Sequence, residues 1–131
     1  MSLLLNLNHI SIEVSDLAAS SRFYSEVLGL REIENKTGFS FVRWFGIGDT
    51  HAIHLIGGQG TEQTAPKATH FALTTDDLEG AMSRLTDAGV PFGDYAGQAG
   101  KVGVRGDGAR SIYFQDPDHH WIEIVDAGTL R

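Results

Sequence analysis

The stretch Asn8-His9-Ile10-Ser11-Ile12-Glu13-Val14-Ser15-Asp16-Leu17 returns as Thr69-His70-Phe71-Ala72-Leu73-Thr74-Thr75-Asp76-Asp77-Leu78, at an offset of 61. In both copies apolar and polar residues alternate, then give way to an acidic residue and a leucine. That is the pattern of a half-buried strand running into a helix start. A second match, Ala52-Ile53-His54-Leu55-Ile56 against Trp121-Ile122-Glu123-Ile124-Val125, falls at an offset of 69. The chain therefore reads as a duplicated unit of about sixty residues, the second copy being the longer.

Within each copy the strand leads to an apolar-periodic segment. The first carries Leu17, Tyr24, Val27 and Leu28 and stops at Gly29; the second carries Leu78, Met82 and Leu85 and stops at Gly89, with Pro91 beyond. Asp16 and the Asp76/Asp77 pair are the helix caps to expect, with Glu79 completing a capping box on Asp76. Strand-like runs follow at roughly 30–35, 40–47 and 51–57, then at roughly 90–94, 109–115 and 119–126. Each copy reads βαβββ, and the fold class is α+β, with two tandem modules forming a curved mixed sheet around a cleft. The expected organisation is one domain, with module 1 at about 1–57, a polar Gly-rich linker at 58–66 and module 2 at about 67–127. The six glycines between Gly93 and Gly108 predict a disordered surface loop or, as the alternative, a loop that closes over a ligand.

Composition narrows the chemistry. In 131 residues, 41% hydrophobic and 21% charged, there is material for one real core. A net charge of −7 leaves no basic surface for nucleic acid. Without cysteine any metal must be held by nitrogen and oxygen. The opening Met1-Ser2-Leu3-Leu4-Leu5-Asn6-Leu7 lacks the basic region of a secretion signal, and no apolar run is long enough to span a bilayer. A cytoplasmic protein without membrane partners is the expectation.

Side chains alternate faces along a strand. Ile10, Ile12, Ile53, Leu55, Phe71, Leu73, Ile122 and Ile124 therefore form the face that the helices cover. His9, His54, His70 and Glu123 point the other way, at equivalent positions of the repeat. If both copies fold their sheets around a common cleft, these four converge. Three imidazoles and a carboxylate suit a divalent transition metal, with room left for water or substrate oxygens. His51 is of opposite parity and reads as structural. His119 and His120, after Asp116-Pro117-Asp118, read as solvated turn residues. Arg43, Trp44 and Phe45 with Ser111 and Tyr113 are candidate pocket-lining residues.

These residues resemble the vicinal oxygen chelate superfamily, which includes glyoxalase I, methylmalonyl-CoA epimerase, extradiol dioxygenases, fosfomycin-modifying thiol transferases and bleomycin-binding proteins. The carriers are Leu7-Asn8-His9-Ile10-Ser11, Phe23-Tyr24-Ser25-Glu26-Val27-Leu28-Gly29-Leu30, Ala68-Thr69-His70-Phe71-Ala72-Leu73, and Tyr113-Phe114-Gln115-Asp116-Pro117-Asp118 followed by Trp121-Ile122-Glu123-Ile124. The resemblance implies paired βαβββ modules around a metal that chelates two neighbouring substrate oxygens, with His9, His70 and Glu123 in ligand positions. His54 stands where glyoxalase I has a glutamate. Glu13 stands where glyoxalase I has a glutathione-binding arginine, and would repel the glutathione carboxylate. The resemblance implies a glyoxalase-like lyase or isomerase using Zn, Ni, Co, Mn or Fe, with Glu123 as the base, a small-molecule substrate and a homodimer. The alternatives are an extradiol-type dioxygenase and a bleomycin-resistance-like binding protein, the latter without the metal.

Overall fold

The computed structural model describes residues 3–58 and 65–127, so most of the expected linker lies outside the described residues. The chain divides into two compact units, Met1–Glu62 and Gln63–Arg131.

In the first unit β1 (His9–Glu13) leads to α1 (Leu17–Arg22), and β2 (Glu32–Ile33), β3 (Val42–Ile47) and β4 (His51–Ile56) complete a sheet of order β1-β4-β3-β2. Asp16 starts the helix, its carboxylate accepting from the Ala19 amide at 3.0 Å. The expected single helix is corrected: after Arg22 the chain loosens into a π-helical turn, Phe23–Val27, closed by Leu28 N–H donating to the Phe23 carbonyl. Apolar spacing is the same for one helix or two such segments, so the pattern did not separate them. Gly29, at φ 73°, ends the segment. There Leu30 N–H reaches back to the Tyr24 carbonyl at 2.9 Å. The buried layer comprises Val14, Phe23, Tyr24, Val42, Phe45, Ile53 and Leu55.

The second unit repeats the plan: β5 (His70–Thr74), α2 (Leu78–Asp87), β6 (Phe92–Gly93), β7 (Gly103–Val104), β8 (Arg110–Gln115) and β9 (Trp121–Val125), in the order β5-β9-β8-β6 with β7 also on β8. Its core is Leu78, Leu85, Ile112, Phe114, Ile122, Ile124 and Val125. Asp77, not Asp76, caps α2, accepting from Gly80 N–H. The expected capping box on Asp76 is absent, and Glu79 is drawn instead to Arg110 at 2.9 Å.

Two other expectations change here. The Gly93–Gly108 segment is ordered by short-range bonds: Gly100 N–H donates to the Phe92 carbonyl at 2.8 Å, and β7 pairs Gly103 with Ser111. Gly93 serves close approach, since a Cβ there would lie 2.5 Å from the Gln98 carbonyl oxygen, while Gly97, Gly100 and Gly108 take positive φ. Nor is the turn after β8 simply solvated. Asp116 and Asp118 are buried, and the Asp116 carboxylate accepts from the Asp118 and His120 amides at 2.9 Å. His119 is exposed in the left-handed region at φ 68°.

Register repeats with the sequence. In the parallel pair β1/β4, His9 lies opposite Ala52 and Ser11 opposite His54; in β5/β9, His70 lies opposite Trp121 and Ala72 opposite Glu123. Antiparallel pairing then sets Trp44 opposite His54 and Tyr113 opposite Glu123. Each unit thus presents the same three positions on one face.

Candidate functional site

In the first unit those positions hold three flat rings. His54 lies face to face with Trp44, centroids 4.1 Å apart and planes 1° apart, and its other face meets His9 at 3.9 Å and 13°. Burial, reinforced by the charge of His9, lowers the His54 pKa and favours its neutral form. His9 Nδ1 lies 2.8 Å from Asn8 Oδ1. An amide oxygen can only accept, so this nitrogen carries a proton, and in the neutral ring Nε2 has the lone pair. The rings line an open cavity of about 560 Å³ with Asn8, Asp49 and His51. The indole Nε1–H of Trp44 is buried with no hydrogen-bond partner.

The second unit places polar chemistry at the same positions. His70 Nδ1 lies 2.9 Å from the Lys67 carbonyl, and His70 Nε2 lies 3.1 Å from Glu123 Oε1. The carbonyl forces the proton onto Nδ1. A neutral His70 therefore turns a lone pair toward a carboxylate oxygen, an arrangement that requires a proton or a cation at that point. Glu123 is only 8% exposed. Tyr113 sits edge-on to His70 at 5.1 Å and opposite Glu123 in the β8/β9 register; burial and the Glu123 charge push its pKa up to about 12, so it remains a phenol.

Beside this pair lies a group that the sequence pattern did not reveal. Lys67 Nζ rests 4.7 Å from the Trp121 ring centroid, 5.4 Å from Tyr113 and 5.5 Å from Tyr95. It also donates to the Asp94 carbonyl at 2.8 Å. The Lys67 ammonium thus secures the chain whose carbonyl orients His70. A cavity of about 230 Å³ opens next to it, lined by Gly93, Gly97, Tyr113 and Trp121 among others.

Of the expected site residues, the structure brings together His9 with His54 and His70 with Glu123. Among the described residues no group of three or more His, Asp or Glu side chains is close enough to hold a metal ion. The donor chemistry nonetheless fits a metal: His9 and His70 each have Nδ1 tied to an oxygen, and Glu123 is a buried carboxylate. Trp44 and Tyr113 lie on the donor face of their sheets. Ser111 is on that face too, but buried, and pairs with Gly103 of β7. Arg43, one residue before Trp44, has the opposite parity and forms a two-point ion pair with Glu32 at 2.6 and 2.9 Å. Phe45 shares that parity and is fully buried. His51 is held by Thr50 Oγ1 at 3.0 Å.

With strand parity, repeat and donor pairs in place, the family follows. Residues 6–124 match the family described as Glyoxalase/Bleomycin resistance protein/Dioxygenase superfamily, and the chain belongs to it. It is 32% identical over 124 residues to the uncharacterized protein YwbC of Bacillus subtilis, covering 90% of this chain and 94% of that one. Similarity to the lactoylglutathione lyase of Salmonella typhimurium is 30% over 131 residues, covering 94% and 93%. Among solved structures, Oxidase ChaP-H2 superposes with a TM-score of 0.76 at 26% identity, covering 96% of each chain. Among the described residues no helix is long and apolar enough to cross a membrane.

Proposed function

We propose that this protein is a metal-dependent, glyoxalase-like lyase or isomerase. Its substrate is a small oxygenated molecule chelated to a divalent ion at a single domain of two modules, about 1–57 and 67–127. The observation that carries the reading is His70 Nε2 at 3.1 Å from a buried Glu123 oxygen, with His70 Nδ1 held by the Lys67 carbonyl. The expected donors are His9, His54, His70 and Glu123, supplied by both units, of one chain or of two copies in a cytoplasmic homodimer. Of these, His9 and His70 have Nδ1 occupied and Nε2 left for bonding.

A divalent ion supplies Lewis acidity, lowering the cost of negative charge on a substrate oxygen. The chain's own groups do the rest. Glu123 is the proton carrier, a carboxylate within reach of a proton beside a bound oxygen. Tyr113, opposite Glu123 in the β8/β9 register, sets a neutral phenol beside that carboxylate. The Lys67 carbonyl keeps the His70 ring from turning.

Elemental analysis tests the metal, with one ion per chain expected. His70→Ala should strip the ion, and His51→Ala should leave it. Glu123→Gln should lower turnover by more than it lowers metal content, since an amide oxygen still ligates weakly but accepts no proton. Full metal and full rate in that variant would remove Glu123 as base. Because Glu13 repels a glutathione carboxylate, the hemithioacetal of methylglyoxal should turn over poorly beside simple α-hydroxy carbonyls. Oxygenase chemistry is the second reading, favoured by the likeness to an oxidase structure and by the set His9, His70 and Glu123. Iron as the native metal with turnover of catechols would establish it.

A further inference from the structure

We infer that His54 does not bind the metal ion but is a positioning residue, a ring that clamps His9 so that its single free nitrogen faces the metal. The inference rests on the metal-binding reading above and changes its ligand count. An imidazole binds a metal along the nitrogen lone pair, which lies in the plane of the ring, at about 2.0–2.1 Å. Two imidazoles can share an ion only if both ring planes pass through it. The planes of His9 and His54 are 13° from parallel and the centroids 3.9 Å apart, so they do not meet near the nitrogens. An ion in bonding reach of both would stand well out of at least one plane, where there is no lone pair.

For both to bind, one ring would have to turn, and the surroundings hold each in place. His54 has both faces occupied, by Trp44 at 4.1 Å and 1° on one side and His9 on the other. Trp44 is fixed opposite it in the β3/β4 register. Turning His54 would break both contacts. His9 rests on the stack by one face only, and Asn8 holds its Nδ1, leaving Nε2 directed and unpaired. Three strands, β3, β4 and β1, thus pass one orientation from Trp44 through His54 to His9. What position 54 must provide is a flat ring, not a nitrogen, and the first unit contributes one donor to the ion.

The test uses the whole protein and a metal ion alone. With Zn²⁺ titrated against a chromophoric chelator, His54→Phe, which keeps a ring and loses both nitrogens, should bind within about threefold of wild type, while His54→Ala weakens binding about tenfold and His9→Phe about a hundredfold. A second measurement needs no variant: Cu²⁺ bound to the wild-type protein should show two coupled imidazole nitrogen ligands, from His9 and His70. Three imidazoles in that spectrum, or a His54→Phe protein as impaired as His9→Phe, overturns the inference and leaves the metal enzyme standing. A wild-type protein that binds neither ion overturns both.

Discussion

The surroundings of one side chain can be followed through the titration of Tyr113. Its phenol is pushed to about 12 from an ordinary 10.0 by burial first, then by the charge of Glu123. Because the folded value is raised, the protonated phenol's contribution to stability is complete below pH 10. It is lost as pH climbs through about 12. In metal-free protein the tyrosinate absorbance of Tyr113, obtained by difference from Tyr113→Phe, should appear only in that last range. Glu123→Gln should bring the step back toward the ordinary tyrosine value. A Tyr113 step at the ordinary value in wild type would mean that neither burial nor the Glu123 charge acts on the phenol. At this scale the sequence was legible where alternation alone decides: it put His9 with His54 on one face of the first sheet and His70 with Glu123 on one face of the second, because a period of two leaves a strand residue only two directions. It could not give the ring stack, which depends on side-chain torsions. Adjacent residues cannot share a face, which separates Arg43 from Trp44.

Among the elements, the helix starts and the glycine turns carry the local energetics. Asp16 and Asp77 each accept an amide that the first turn of a helix leaves unpaired, so Asp16→Ala or Asp77→Ala should each cost about 1 kcal/mol in chemical denaturation. A pair of glycine substitutions separates close approach from mere flexibility. Gly93→Ala forces a Cβ to 2.5 Å from a backbone oxygen and should cost about 1–3 kcal/mol. Gly46→Ala meets only an ordinary contact at 3.5 Å and should change stability by no more than about 1 kcal/mol. Equal losses at both positions would show that the β6–β7 connection gives way easily. The strands and both helix starts were legible because each has a local signature. The tie between Lys67 and Asp94 was not, since it joins residues 27 apart through a segment with no periodicity. The π-helical turn was hidden because its apolar spacing is that of an ordinary helix.

For the whole molecule, the duplication is the organising fact, and it was the most legible feature of the chain, since the offsets between the copies are also the offsets of strand register. β1 and β5 each stand at the end of their own sheet, and an uncovered strand edge favours assembly. Light scattering should return twice the 14.2 kDa chain mass; a monomer at micromolar concentration would remove the homodimer. The two copies have kept their positions and exchanged their chemistry, rings in the first and a histidine, a carboxylate and a phenol in the second. That exchange left the protein with only two tryptophans, one beside each donor pair: Trp44 against His54 and Trp121 against the Lys67 ammonium. Each half therefore carries its own fluorophore. Emission recorded from Trp44→Phe and from Trp121→Phe would report separately on what reaches the second half and the first, and the order in which a bound ion engages them becomes readable from light alone.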